Sequence, residues 1–596
     1  MQLKRVIARL YALLLVLALP FWLKPSASQN IAAFSINLTL PDNAVIAEGD
    51  DFATRVLRAP WDMSAPPYPD FPTVLGNFHR SSFTVAGGQW SMYTMNDDPR
   101  INIHPTGLAQ PALNVGSRFP IDASRYVLLS FRMCSSLSDW GQVFWFYDQS
   151  FTKVAYSRFF PVISGCRIYV IDLRHAFMSG WGGATGWNGT PVGLSLDPVA
   201  GGSNVHIQLD WIRLTTADTS RSVPITWHVN PAGAKLEFYV DTDNVGYDGT
   251  KIGEVTNAPE NGTFQWGKAL LNEGDPQYPY PLPESLQPGQ YYVYVVVNDQ
   301  PARYSSTPLT VDATPIVTFL RPSFVSGEDY ATAVIGDAWD MSNTDDIAGM
   351  EHIINSNFSN GIYHGISDSS GDPQILLNVE RPIDTSRYKY LTYRMYVEGT
   401  QDIGRGWVTR VIWWDQGPVV DYVVTKDIIV YEGWQVYSLD LSKVGLEPSS
   451  GGAGWFGYQR ALRLDPVEVA APTSFHLDYV MLTADEQIQR GQLFPVIYQI
   501  SENTGATVTL WYDTNRNPQD GRNLLTVYAP SQPNNSFKVY LPFVTRVLND
   551  LPHPNGIIVT WDTKSVNGGK YYICAEVNDG FNTAIWYSDT PVIVTE

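Results

Sequence analysis

The sequence predicts an all-β chain built as a tandem duplication, in which a β-jelly-roll sandwich is followed by an immunoglobulin-like β-sandwich and the pair occurs twice. Three observations carry this. Aromatic residues reach 13%, with 19 Trp and 33 Tyr, and such side chains favour strands, while 47 Gly and 41 Pro supply frequent turns. No long helical periodicity follows the N-terminal apolar stretch. The phrase LSLDPVAGGSNVHIQLDWIRLTTAD, from Leu194, nearly recurs as LRLDPVEVAAPTSFHLDYVMLTAD from Leu462.

The first 28 residues read as a secretory signal peptide. Lys4, Arg5 and Arg9 precede an apolar run from Leu10 to Leu23, and small residues follow around Ser26, Ala27 and Ser28. The run is shorter than the roughly 20 residues a membrane span needs, so no membrane insertion is expected. The chain is expected to be secreted, extracellular or at the cell surface, and no anchor is read after the final PVIVTE. With 39 basic and 59 acidic residues the net charge is −20, and removing Lys4, Arg5, Arg9 and Lys24 leaves −24. That balance argues against nucleic acid and anionic membrane surfaces, which require cationic patches.

Residues 45–218 form the first expected jelly roll and 314–486 the second. GDDFATRVLRAPWDMS from Gly49 matches GEDYATAVIGDAWDMS from Gly327, and PIDASRYVLLSFRM from Pro120 matches PIDTSRYKYLTYRM from Pro382. CRIYVIDL from Cys166 then lies against WQVYSLDL from Trp434, a displacement of 268 that is unchanged at Leu196/Leu464, Asp210/Asp478 and Thr215/Thr483. Each unit is about 170 residues of short strands between Gly, Pro, Ser and Asp turns, which suits a two-sheet jelly roll. Residues 219–313 and 487–596 are the expected immunoglobulin-like units. KLEFYV from Lys235 alternates apolar and polar positions, turns at DTDNVGYDG and returns as TKIGEV; its counterpart starts TVTLWYD at Thr507. YYVYVVVND from Tyr291 and YYICAEVND from Tyr571 complete units of about 100 residues, the size of a seven-strand sandwich.

The LxLDP phrase, followed by a loop and a hydrophobic-Asp-aromatic-hydrophobic strand, resembles the last strands of galactose-binding-like jelly rolls, the fold of many carbohydrate-binding modules. The second unit resembles the fibronectin-type-III-like or immunoglobulin-like repeats of bacterial secreted proteins. The resemblance implies a structural Ca²⁺ in each jelly roll, held between an acidic residue near the first strand and an Asp in the last. The matching positions are Asp50, Asp51 and Asp210 in the first copy and Glu328, Asp329 and Asp478 in the second, an oxygen-rich set that suits Ca²⁺. Strict alternation would put Asp210 on one face with Gln208 and Ile212, where a carboxylate bonded to backbone amides is the competing account.

Carbohydrate recognition needs aromatic faces and a few convergent polar groups. Trp187 and Trp455 share one repeat position in Gly-rich loops, where a structural role is the alternative, and Trp181, Trp90 and Tyr363 are the unmatched aromatic candidates, for which ordinary surface Trp and Tyr is the alternative. The recurring WDMS, at Trp61 and Trp339, reads as core packing beside a turn, with a sugar-contacting corner as the alternative. The Asp-rich hairpin at Asp241 fails the spacing of a calcium-binding loop, since Val245 and Ile252 stand at ligand positions. Cys134 and Cys166 are replaced together by Tyr396 and Trp434 in the second copy, which predicts that they are neighbours joined by a disulfide; Cys574 has no partner and is expected to be a buried thiol.

No HExxH, GxSxG, Walker loop or paired-Cys zinc spacing occurs, so no catalytic residue is assigned. The leading expectation is a secreted, non-catalytic carbohydrate-binding protein acting on extracellular or cell-surface glycan, its two jelly rolls combining for avidity across a spacer. A structural surface or adhesion protein touching cell-surface proteins is second, and a polysaccharide-degrading hydrolase or lyase third.

Overall fold

The computed structural model describes residues 35–63, 75–96, 98–104, 119–148, 152–217, 222–267, 278–398, 408–430, 433–447, 450–452, 454–469, 471–501, 506–528 and 556–596. The expected signal peptide, residues 1–28, lies outside them. Among the described residues the chain is all-β, and its helical segments are single turns such as Ala53–Leu57, Leu173–Ala176 and Ala331–Ile335.

In the first jelly roll a five-stranded sheet runs in the order Gly165–Asp172, Leu128–Ser135, His206–Thr215, Gln89–Thr94, Phe78–Ala86. The facing sheet has Asp139–Phe146, Gly193–Asp197 and Arg100–His104 at its centre, with Val154–Ser157 and Phe177–Trp181 toward one edge. Period-two alternation sends Leu129, Phe131 and Met133 from one sheet, and Val143, Trp145, Leu194 and Leu196 from the other, into a shared core. The second jelly roll repeats the plan. Ser474–Ala484 and Tyr388–Val397 lie central in one sheet, Ala461–Asp465 and Val408–Trp414 in the other.

The repeated motifs are scaffold. Trp61, Met63, Trp339 and Met341 of the two WDMS copies are buried, and Trp61 and Trp339 accept backbone bonds from Ile212 and Val480 of the last strands. The glycines opening the same repeated phrase admit close backbone approach: a Cβ on Gly49 would meet the Glu284 carbonyl oxygen at 2.2 Å, and one on Gly327 the Ala484 carbonyl oxygen at 1.9 Å.

Each immunoglobulin-like unit has a three-stranded sheet against a larger one, and its first strand arrives before the jelly roll. Ser35–Thr39 pairs with Val223–Asn230, and Val317–Arg321 pairs with Leu493–Ile500, both antiparallel. Val45–Ala47 pairs in parallel with Leu309–Asp312. Each jelly roll is thus an insertion after the opening of the sandwich that follows it. The linear boundaries 45–218 and 314–486 therefore need correction: Val45–Ala47 and Val317–Arg321, expected in jelly rolls, hydrogen-bond into immunoglobulin-like sheets. Alternation marks a strand but not its distant partner.

Cys134 and Cys166 stand opposite each other in the pairing of Leu128–Ser135 with Gly165–Asp172 and are disulfide-bonded, with Cα atoms 3.9 Å apart. Tyr396 and Trp434 are the opposed pair in the second copy, their ring centroids 5.6 Å apart. Cys574 is a buried free thiol.

Candidate ligand-binding site

The outer face of the second jelly roll's six-stranded sheet carries a cleft of about 550 Å³. Alternation builds it. Along Val408–Trp414, Val411 and Trp413 enter the core while Arg410, Ile412 and Trp414 face out; along Ala461–Asp465, Leu462 and Leu464 enter while Arg463 and Asp465 face out. Asp372, Tyr422, Glu447 and Glu468 close the cleft from neighbouring loops.

Two guanidiniums organise the carboxylates. Arg463 binds Asp465 through two bonds of 2.6 and 2.7 Å and reaches Asp372 at 2.7 Å. Arg410 bonds Asp427 at 2.5 Å and lies 3.0 Å from Glu468. Planar guanidiniums suit such paired contacts and hold the acids in fixed orientations. Negative charge still exceeds positive. Burial, reinforced by the Asp465, Asp427 and Asp372 carboxylates and opposed by Arg410, pushes Glu468 up to about 8. Burial also pushes Asp465 and Asp427 up to about 6, against Arg463 and Arg410 respectively. One carboxylate oxygen each of Asp427 and Glu447 is buried without a hydrogen-bond partner among the described residues.

The six expected calcium ligands do not converge. Asp50 pairs with Arg125, Asp210 with Arg132 at 2.8 Å, Glu328 with Arg387 at 2.6 Å and Asp478 with Arg394 at 2.7 Å. Asp51 accepts bonds from the Thr54 amide and hydroxyl and the Leu214 amide, and Asp329 accepts the matching set from Thr332 and Leu482. These two acids do join first strand to last, through backbone amides rather than a cation. Among the described residues, Asp372, Asp465 and Glu468 bring three carboxylate oxygens within 4.8 Å of one another, the donor type a hard cation takes.

Four of the five aromatic candidates are core. Trp90 and Tyr363 are fully buried; Trp187 and Trp455 donate to the Tyr126 and Tyr388 carbonyls at 2.9 and 2.8 Å and pack edge-on against Trp145 and Trp413. Their loops fold inward because an indole with a satisfied N–H buries more apolar area than a surface position offers. Trp181 alone is exposed, at 44%, on the outer face of the first jelly roll. It continues a row of rings there, 6.4 Å from Tyr156, which is 5.6 Å from Phe144.

The two outer faces therefore differ. At the constant displacement of 268, Arg410, Asp427, Arg463 and Glu468 replace Gln142, Phe159, Ser195 and Ala200, while Asp465 keeps Asp197. The charged cleft was missed because its residues look like ordinary surface charges along the chain. Their concentration among the differences between positions that share the displacement of 268 is the signal that finds them.

No family model matches the chain, and no curated protein matches it. Among solved structures, it is similar to the agarase AgWH50C at 9% identity over 24% of this chain and 25% of that one, with a TM-score of 0.18, so it spans about a quarter of the agarase's length. A family 29 carbohydrate-binding module matches at 9% identity over 29% of this chain and 90% of its own, with a TM-score of 0.16. The CBM51-2 and INT domains from Clostridium perfringens ZmpB match at 8% identity over 52% of this chain and 90% of theirs, with a TM-score of 0.12. At such TM-scores the likeness is local and bears on neither ligand nor activity.

Proposed function

We propose that the protein is a secreted, non-catalytic carbohydrate-binding protein that engages glycan on the outer faces of its jelly-roll sheets. The supporting observation is the cleft of the second jelly roll, where Arg410, Arg463, Asp465 and Glu468 converge beside the rings of Trp414 and Tyr422. A sugar offers hydroxyls that both donate and accept, and C–H faces that pack on aromatic rings. Fixed guanidinium–carboxylate pairs supply both hydrogen-bonding roles, and the rings supply the apolar contact. The ring row at Phe144, Tyr156 and Trp181 gives the first jelly roll a more apolar version of the same surface.

Glu468 favours a second reading. A carboxyl held protonated near neutral pH beside an acid of lower pKa is the equipment of glycoside hydrolysis. One experiment separates the readings. The full chain and its Trp414→Ala and Glu468→Gln variants are titrated against a glycan panel, and released reducing ends are assayed in parallel. Binding is expected without release, and Trp414→Ala should weaken it at least tenfold, about 1.4 kcal/mol. Release of reducing ends that Glu468→Gln abolishes would establish hydrolysis, and absence of binding across the panel would leave the adhesion role.

A further inference from the structure

A single row of side chains crosses the whole five-stranded sheet of the second jelly roll, on the sheet opposite the charged cleft. Asn357, His364, His476, Tyr396 and Trp434 stand directly opposite one another on the successive strands Ile353–Ser359, Ile362–Ser367, Ser474–Ala484, Tyr388–Val397 and Gly433–Asp440. Alternation puts this row on the outer face. The chain neighbours Tyr363, Phe475, Leu477, Met395 and Val397 enter the core, which leaves both imidazoles and the Tyr396 and Trp434 rings half-buried and turned away from it.

Two imidazoles meet at the centre of the row. His364 and His476 approach Nδ1 to Nδ1 at 2.9 Å, with ring centroids 4.6 Å apart. Both are held in place. Tyr396 stacks on His476 at 5.1 Å with planes 16° apart, and the Ser359 hydroxyl lies 2.9 Å from Nε2 of His364. By accepting the Nε2 proton, Ser359 keeps Nδ1 of His364 unprotonated, which is what an outer hydrogen bond does for a metal-binding histidine. Arg394 lies over Trp434 at 4.3 Å, but Asp478 pairs with it at 2.7 Å, so its charge is met.

Converging imidazole nitrogens select transition metals over Ca²⁺, which takes oxygen. The spacing selects further. At a metal–nitrogen distance of about 2.05 Å, nitrogens 2.9 Å apart subtend about 90° at the ion, the cis angle of a square-planar or octahedral metal and narrower than the roughly 109° of tetrahedral Zn²⁺. The first copy has no such pair. Its row reads Ser91, Gln208, Cys134 and Cys166, with Gln208 at the displacement of 268 from His476. The histidine beside that row, His206, bonds Ser91 at 2.7 Å and has Tyr93 opposite it rather than a second imidazole.

We propose that His364 and His476 form a bidentate site for a divalent transition metal of square-planar or octahedral preference, Cu²⁺ or Ni²⁺, whose remaining positions are open to water on the outer face of the sheet. The proton shared between the two Nδ1 atoms passes through solvent to Nε2 of His476 when the ion binds, so both rings ligate as neutral imidazoles. The site is independent of the glycan reading. The test is calorimetry of the full chain with Cu²⁺, Ni²⁺, Zn²⁺ and Ca²⁺, together with the electron paramagnetic resonance spectrum of the Cu²⁺ complex. The variants are His364→Ser and His476→Gln, each installing the residue of the first copy, and His206→Ala as a lone-histidine control. The expected result is one tightest Cu²⁺ site per chain that also takes Ni²⁺, prefers both to Zn²⁺, ignores Ca²⁺ and shows coupling to two imidazole nitrogens. His364→Ser and His476→Gln should each weaken it tenfold or more with unchanged thermal melts, and His206→Ala should leave it unchanged. A spectrum with one nitrogen or none in the unsubstituted chain overturns the proposal whether or not a variant folds. Affinity indifferent to either histidine variant, or lost equally in His206→Ala, also overturns it, since binding is then that of any single surface histidine.

Discussion

At the scale of single residues, Glu468 sets the pH behaviour of the second jelly roll. Burial pushes its carboxyl up to about 8, above the ordinary glutamate value of 4.5, so the folded state holds a proton that the unfolded chain gives up. Stability therefore falls as pH rises between about 4.5 and 8, and Asp465 and Asp427, pushed up to about 6 from 3.8, add the same sign at the acidic end. Thermal melts at pH 5 and pH 8 should show the higher melting temperature at pH 5, and Glu468→Gln should flatten the difference; a slope of the opposite sign would contradict the assigned burial. Coupled replacement is the most legible residue-level signal. Arg213 forms a buried pair with Glu48 at 2.8 Å, and the second copy carries Met481 and Ser326 at those positions, so both partners changed together as the cysteines did. Removing only one partner would strand a buried charge, which explains the joint change.

At the scale of strands, alternation was readable and its interruptions were not. In His206–Thr215, Leu209 enters the jelly-roll core as expected, but the register shifts between Leu209 and Trp211. This bulge turns Ile212 into the jelly-roll core and Trp211 toward the core of the neighbouring sandwich, and it leaves Asp210 facing Arg132, so Asp210 and Ile212 do not share a face. The second copy repeats the shift around Asp478, between Arg394 and Met395. The disulfide is the clearest strand-level feature. It closes a sequence separation of 32 residues and joins two adjacent strands of the first jelly roll. A Cys134→Ser, Cys166→Ser double variant should lose about 3 kcal/mol in denaturant unfolding of the first half. The unfolding of a fragment spanning 314–596 should be insensitive to reductant, because Cys574 there has no cysteine partner.

At the scale of the whole molecule, the insertion of each jelly roll decides where the chain divides. A cut between 313 and 314 keeps Ser35–Thr39 with the first half and Val317–Arg321 with the second, so every sandwich retains its opening strand. A fragment of 487–596 alone loses Val317–Arg321 and exposes the edge of Leu493–Ile500. It also loses Arg321, whose guanidinium lies 4.9 Å from the ring of Phe494 in the intact half. The 314–596 fragment is therefore expected to be monomeric with a cooperative melt, and 487–596 to aggregate, as size-exclusion chromatography would show; a monomeric, cooperatively folding 487–596 would argue against the insertion. The halves also touch. Arg58 donates to the Tyr587 carbonyl at 2.8 Å, the Asn582 side-chain amide to the Asp312 carboxylate at 3.0 Å, and the Thr314 amide to Glu48 at 2.7 Å. The first sandwich is thus part of a packed joint between copies, which fixes the spacing on which any avidity between the two jelly rolls depends.

The sequence by itself determined the all-β class, the duplication, the strands that face inward and the cysteine pair, because each follows from local alternation or from comparing one copy with the other. Only the tertiary structure decided which strand completes which sandwich, which indoles are core and where charge converges. Trp187 and Trp181 sit six residues apart in similar loop sequence, yet one is buried against Trp145 and the other is exposed. Asp372, Arg410, Glu447 and Glu468 come from four separate segments and meet only when the sheet forms. Period-two patterning states which residues share a face, but whether that face is covered, and by what, depends on contacts between residues far apart in the chain.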